Sequence, residues 1–304
     1  MLHESTKEIA PTATVDTRVV YHSDNLPQLH SLPDRCIDLV YIDPPFNTNR
    51  DHKVSWGSTK EKRAFEDRHG STQTYVDFMR PRCEEIARVL KKTGSLYYHC
   101  DWHASHYVKV MLDQIFGEDH FLNEIIWHYT GGGRSKTTFS RKHDILLWYR
   151  NGSKWCFNID QVRVPYKPSS GYAKGGITSA SGKHYKPNPK GTPVDDVWDI
   201  PMINPLAKER LGYPTQKPLT LLDRVIKAGS NPNDVVLDAF CGCGTTLVAA
   251  ENHGRQWIGI DISSTACRVT AKRLHDVCGL AEDEEQRRIG RGFVVRDGRF
   301  ESGK

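Results

Sequence analysis

Two hydrophobic patterns alternate along this chain. Short runs that are apolar almost throughout read as strands buried on both faces. Longer stretches with an apolar residue every three or four positions read as amphipathic helices. Residues 37–42 (IDLVYI) read as a buried parallel strand, and 18–22, 95–99, 235–238 and 256–261 as further strands. Two more are expected at 122–129 and 144–149, around the glycine-rich turn 131–133. Helical spacing covers 26–32, 72–91, 104–116, 218–229, 244–253 and 263–277. Pro81 should kink the second of these, and Gly117 ends the third. Strand–helix alternation of this kind predicts an α/β, doubly wound, mostly parallel sheet.

The pattern lapses in four places. Residues 1–17 are polar and read as a loose arm. Residues 47–71 mix charge with Gly and Ser and read as a long mobile loop. From 163 to 190 there are six basic residues, Arg163, Lys167, Lys174, Lys183, Lys186 and Lys190, and no acid, with four Gly, four Pro and three Tyr. Such a segment buries little and should be flexible when free. The last 25 residues are charged and expected to be peripheral.

Composition changes this picture little until it is localised. The 304 residues carry a net charge of only +5, too small to name a partner. The 163–190 segment alone exceeds that whole excess, so the rest is close to neutral. No apolar run approaches the roughly 20 residues of a membrane helix. The start, MLHESTKEIAPT, has no secretory apolar core. Eight scattered Cys make no disulfide framework in a chain this long. A cytoplasmic protein without a membrane partner is expected.

Candidate chemistry lies at two strand ends. In VVLDAFCGCGTTLVAAENHGRQWIGID (235–261) a strand ends at Asp238, a tight loop holds Gly242 and Gly244, and a second strand ends at Asp261. The glycines let a ligand approach the backbone, and the distal acid can accept two ribose hydroxyls. Position 247 is Leu, so the third glycine of a dinucleotide fingerprint is absent, and a ligand with a ribose but no phosphate fits better. The strand at 37–42 delivers Asp43, Pro44, Pro45 and Phe46. Here the prolines remove amide donors and present carbonyls beside a carboxylate and an aromatic face, which suits a small planar amine.

DPPF at 43–46 together with DAFCGCGTT at 238–246 resembles the amino-methylating DNA methyltransferases that use S-adenosyl-L-methionine. The order, catalytic turn before cofactor loop with the basic insertion between, resembles their circularly permuted β group, as do YPTQKP at 213–218 and RKHDILLWYR at 141–150. The resemblance implies a Rossmann-like, seven-stranded, circularly permuted methyltransferase fold with a small target-recognition insertion. The expected division is a catalytic half (1–150), the insertion (151–212), a cofactor half (213–280) and a charged tail (281–304). It implies that Asp43, Pro44, Pro45 and Phe46 are catalytic, acting on the N6 amine of a flipped adenine. Cofactor contacts are implied for Asp24 (at the adenine amine), Asp43, Thr215, Lys217, Asp238, Phe240, Gly242, Gly244, Thr245 and Asp261 (at the ribose). The six basic residues of 163–190 are then DNA contacts. Double-stranded DNA is the implied partner, with room for a second copy of the chain and for a cognate restriction endonuclease.

Other readings stay open: N4-cytosine or RNA adenine as target, or an inactive nucleic-acid-binding subunit. C5-cytosine chemistry is excluded, because it uses a Cys nucleophile after Pro and no Pro-Cys pair occurs. His99 and His103 in HCDWHASH have an i, i+4 spacing that suits zinc on a helix. His99 ends a strand, however, so no metal is expected there and the role of the cluster is left open.

Overall fold

A computed structural model describes residues 15–45, 50–52, 65–67, 71–131 and 133–298. The first half runs β1 (Val19–His22), α1 (Asn25–Ser31), β2 (Ile37–Ile42), β3 (Arg50–His52), β4 (Phe65–Asp67), α2 (Thr72–Val89), β5 (Leu90–Cys100), α3 (Ser105–Phe116), β6 (Phe121–His128) and β7 (His143–Arg150). The basic segment holds α4 (Gly171–Gly175), β8 (Ile177–Thr178) and β9 (His184–Tyr185). After β10 (Val197–Asp199) come α5 (Leu219–Gly229), β11 (Val235–Asp238), α6 (Thr245–Asn252), β12 (Gln256–Asp261) and α7 (Ser264–Cys278). The described chain ends with β13 (Ala281–Glu282), α8 (Glu284–Arg288) and β14 (Gly292–Asp297).

Ten strands form one sheet in the order β10-β6-β7-β5-β2-β11-β12-β1-β14-β13. Only β7 runs antiparallel to its neighbours, pairing with β5 and β6 in that sense. The expected seven strands are the interior set from β6 to β1; β10 extends one edge, and β14 with β13 the other. The strand at 95–99 begins earlier than expected, at Leu90, and α2 continues through Pro81.

The apolar run in β2 is explained by its two covered faces. Ile37, Val40 and Ile42 face a core built with α2 and α3, through Tyr75, Met79, Ile86, Val108 and Leu112. Leu39 and Tyr41 face the opposite core, with Leu222 and Ile226 of α5 and Leu247 of α6. Within 47–71, read as a loop, Arg50–His52 pairs antiparallel with Phe65–Asp67.

One expectation fails outright. The tail is not peripheral as far as residue 298: β14 pairs in parallel with β1 in the sheet, and Phe293 is completely buried near Trp257. Its charged composition hid a strand whose inward positions are only Phe293 and its neighbours. Phe293→Ala should therefore cost about 3–5 kcal/mol, as for other large-to-small core changes. It would be read as a lower urea midpoint with unchanged slope.

Candidate active site

The carboxyl ends of β1, β2, β5, β11 and β12 meet at one edge of the sheet. Helices cover opposite faces on either side of β2 and β11, so a crevice opens there. The Val236↔Leu39 and Leu237↔Val40 pairings bring the chain after β11 beside the chain after β2. A cleft of about 390 Å³ results, lined among others by Asp24, Asp43, Pro44, Pro45, Tyr213, Thr215, Lys217, Asp238, Phe240, Gly242, Thr245 and Asp261.

The glycine loop forms one wall. Gly242 and Gly244 have φ of +52° and +73°, which side-chain-bearing residues rarely adopt. A Cβ on Gly244 would also lie 2.8 Å from Thr270 Cγ2. The loop is tied down on both sides: Thr270 Oγ1 donates to the Gly242 carbonyl at 2.9 Å, and Arg273 donates to the Cys243 carbonyl and to Thr245 Oγ1. Asp261 accepts from the Gly242 amide through Oδ2 (2.8 Å) and the Ser263 amide through Oδ1 (2.9 Å). Each oxygen keeps a second lone pair toward the cleft. Burial raises the Asp261 carboxyl, and these amides oppose the shift.

Asp238 turns back into its own loop, accepting from the Phe240 amide at 3.0 Å and from the Thr246 hydroxyl. Burial pushes its carboxyl up to about 7, helped by the nearby charges of Asp43 and Asp261. It shapes the wall even though sequence reading counted it among the ligand contacts.

Asp43 stands opposite. Its Oδ2 is ion-paired with the buried ammonium of Lys217. Its Oδ1 is buried and has no hydrogen-bond partner among the described residues. Behind it, the Tyr41 hydroxyl and His99 Nδ1 are 2.8 Å apart, and His99 Nε2 lies 3.3 Å from Asp144 Oδ2. The Tyr129 hydroxyl donates to the other Asp144 oxygen at 3.1 Å. An ionised carboxylate only accepts, so His99 donates through Nε2, and its Nδ1 can then accept from Tyr41. Burial works to raise the Asp144 carboxyl, but the hydrogen bond and charge of His99, with Lys217 and Tyr129, hold it below its usual value. His99 is fully buried 3.8 Å from Asp43 Oδ1. His99 of HCDWHASH thus packs behind the Asp43 turn, and no metal-binding group of acids, His and Cys occurs among the described residues.

Several sequence expectations change here. Lys217 points at Asp43 rather than standing apart for the cofactor. Asp24 lines the cleft but is engaged twice, capping α1 through the Leu26 amide (2.9 Å) and pairing with Arg82 (2.9 Å). Thr215 is at the wall with φ +64°. Thr245 is held by Arg273. Phe46 lies outside the described residues. Arg163 is paired with Asp160 at 2.6 Å and bonded to the Gly191 carbonyl, whereas Lys167, Lys174, Lys183, Lys186 and Lys190 are exposed. Lys190 also lies 3.5 Å from Asp160. The segment is more ordered than a flexible linker, with Tyr166 and Tyr172 bonded to backbone at Asn188 and Lys186.

Sequence reading missed Tyr41, Arg82, Tyr213 and Asp144. Arg82 binds Asn25 Oδ1 at 2.7 Å, and Asn25 donates to the Ala239 carbonyl at 2.7 Å, linking α2 and α1 to the glycine loop. An arginine on the apolar face of α2 was the available signal. Tyr213 covers the loop, its ring 3.5 Å from where a Gly242 Cβ would lie.

The residues fit S-adenosylmethionine. Asp24 and Asp261 offer acceptors, and Phe240, Tyr213 and the exposed Ile262 offer apolar faces. Comparison with known proteins agrees. Residues 37–272 match the N6/N4 methyltransferase family of DNA methylases. The chain is 32% identical over 263 residues to the Type II methyltransferase M.HpaI of Haemophilus parainfluenzae, covering 86% of this chain and 74% of that one. It is 30% identical over 276 residues to the DNA adenine methyltransferase YhdJ of Escherichia coli K12, covering 90% and 88%. The fold is that of a putative DNA modification methylase of Thermus thermophilus solved with S-adenosyl-L-methionine (TM-score 0.57, 20% identity, covering 93% and 99%). The chain belongs to the N6/N4 DNA methylase family. It is a DNA methyltransferase, and S-adenosylmethionine is its methyl donor.

The buried Asp238 gives the wall a pH signature. Its folded carboxyl titrates near 7, above the unfolded value of 3.8, so between those limits the folded state holds the extra proton. Stability from this group therefore falls as pH rises from about 4 to about 7. Asp238→Asn keeps an acceptor for Phe240 and should flatten that decline. Melting temperatures of parent and variant at pH 5 and pH 8 test this; parallel changes in both would refute it.

Proposed function

We propose that the chain transfers a methyl group from S-adenosylmethionine to the N6 amine of an adenine turned out of double-stranded DNA at a specific sequence. The observation that carries this reading is the placement of Asp43 and Pro44 on the wall of the cofactor cleft, directly after β2. An exocyclic amine is a poor nucleophile because its lone pair is delocalised into the ring. The Asp43 carboxylate and the Pro44 carbonyl accept its two hydrogens and favour a more tetrahedral nitrogen, so charge is stabilised where it develops. Bound S-adenosylmethionine supplies an electrophilic methyl group on a sulfonium centre. Asp43 would hold the proton that the amine gives up on methylation. Lys217 holds the carboxylate in place, and the Tyr41–His99–Asp144 network backs the turn. Holding the reacting groups in line supplies much of the remaining acceleration.

Adenine is favoured by Asp at the head of the turn and by the name of the Escherichia coli relative. The base must leave the stack to enter such a cleft. The exposed lysines of 163–190 would neutralise phosphates, with Arg163 and Lys190 already sharing Asp160. The Type II name of M.HpaI supports a restriction–modification setting, with an endonuclease that cuts the same sequence.

Labelled S-adenosylmethionine and unmethylated genomic DNA, digested to nucleosides, test the reading. Label should appear in N6-methyladenine. Asp43→Asn should lower kcat on the order of a hundredfold or more, with an unchanged circular dichroism spectrum. Label in N4-methylcytosine, or equal rates for parent and variant, would overturn it.

A further inference from the structure

The chain between β6 and β7 holds an exposed feature that the catalytic geometry leaves unused. Residues 129–143 (YTGGGRSKTTFSRKH) contain Arg134, Lys136, Arg141 and Lys142 and no acid. At their tip Phe139 is 100% exposed. Single exposed apolar residues are common, but here a phenyl ring standing wholly in solvent lies in a stretch with four cations and no acid.

The loop is built to hold that tip. Ser135 Oγ accepts from the amides of Thr137 (3.3 Å) and Thr138 (3.1 Å), and Ser140 Oγ accepts from the Ser135 amide at 2.9 Å. The Lys142 ammonium bridges the carbonyls of Gly131 and Gly133 across the stem. Tyr129 N–H donates to the Lys142 carbonyl at 2.9 Å, closing it.

Its position is equally defined. β6 is parallel in sense to β5 and β2, because each of β5 and β6 is antiparallel to β7. The loop after β6 therefore leaves at the same edge as Asp43. Its two stem residues join the network behind Asp43, Tyr129 through Asp144 and Asp144 through His99. At its base Arg141 lies 3.8 Å over the ring of Trp102, which is 46% exposed and follows β5 at that edge.

We infer that this loop is the DNA-invading element: Phe139 enters the base stack at the target site and fills the space left by the flipped base, while Lys136, Arg134 and Arg141 hold the flanking phosphates. Apolar wedges between base steps are an established way to unstack a duplex, and the surrounding cations supply the sequence-independent attraction. The inference rests on the reading that the target base leaves the helix to reach Asp43.

The wild-type enzyme first marks unmethylated DNA, and sequencing of the modified bases gives its site. Duplexes carrying that site are then made with the target base either correctly paired or opposite an abasic position, which leaves it unpaired from the start. Phe139→Ala, at a fully exposed residue, should fold like the parent. On the paired duplex its kcat/KM should drop 10- to 100-fold. On the abasic duplex it should return to within about threefold of the parent, and Phe139→Leu should be intermediate. Equal rates for Phe139→Ala and parent on the paired duplex would overturn the inference, as would an equal loss on both duplexes. The experiment uses whichever base the enzyme marks. A product of N4-methylcytosine would therefore remove the adenine reading and leave this test intact.

Discussion

The ion pair between Lys217 and Asp43 joins residues that lie 174 positions apart and brings the two halves of the molecule to one point. A carboxylate so far out of water is unstable without a counter-charge, and an unpaired buried charge costs several kcal/mol. Lys217 stands just before α5, in the segment whose Tyr213 lies over the glycine loop. The contact that neutralises Asp43 therefore also seats the cover of the cofactor wall. Lys217 takes Oδ2, and Oδ1 is buried on the His99 side with no hydrogen-bond partner among the described residues.

Five carboxyl groups gather at this edge, and each is accommodated differently. Asp24 is paired with Arg82 and Asp43 with Lys217. Asp144 leans on His99 and Tyr129, Asp261 on two backbone amides, and Asp238 on a hydroxyl and an amide. Hydrogen bonds from neutral groups stabilise these charges without cancelling them. The cleft consequently keeps a negative potential in a partly dry setting, where fields are stronger than in water. That field complements a sulfonium cation and any positive charge that develops on an attacking amine. It also explains why burial leaves Asp238 as the member that yields to protonation near neutral pH.

What could be read from the sequence follows from how locally each feature is encoded. The strand at 37–42 and the glycine loop were legible because periodicity, proline and glycine act within a few residues. The network behind Asp43 was not legible. His99, Asp144 and Tyr41 sit on three strands, and only sheet order makes them neighbours. The pairing of Lys217 with Asp43 and the place of Arg82 were not legible for the same reason, since each is defined by a partner far along the chain. The end of the chain was misread because charge was taken as exposure. In β14 two charged residues follow the buried Phe293 and its valines, so composition averaged away a strand. Arg163, counted among the DNA contacts, is paired in this structure with Asp160, only three residues earlier.

The interior and the edge of the sheet are under different constraints. Inside, Gly244 has no room for a Cβ, Asp238 and Thr246 close the loop on themselves, and β2 is covered on both faces, so nearly any substitution is felt in the fold. At the edge, the 163–190 segment and the β6–β7 loop hold their shapes by short-range hydrogen bonds among their own residues and project lysines, Tyr185 and Phe139 outward. Changes there alter what the surface meets while leaving the core intact. The cleft at Asp43 is thus mechanically separate from these surface segments. The exception is the stem of the β6–β7 loop, where Tyr129 and Asp144 belong to both. Through that shared stem, strain applied to the loop by DNA reaches Asp43 by contacts of 3.1, 3.3 and 3.8 Å.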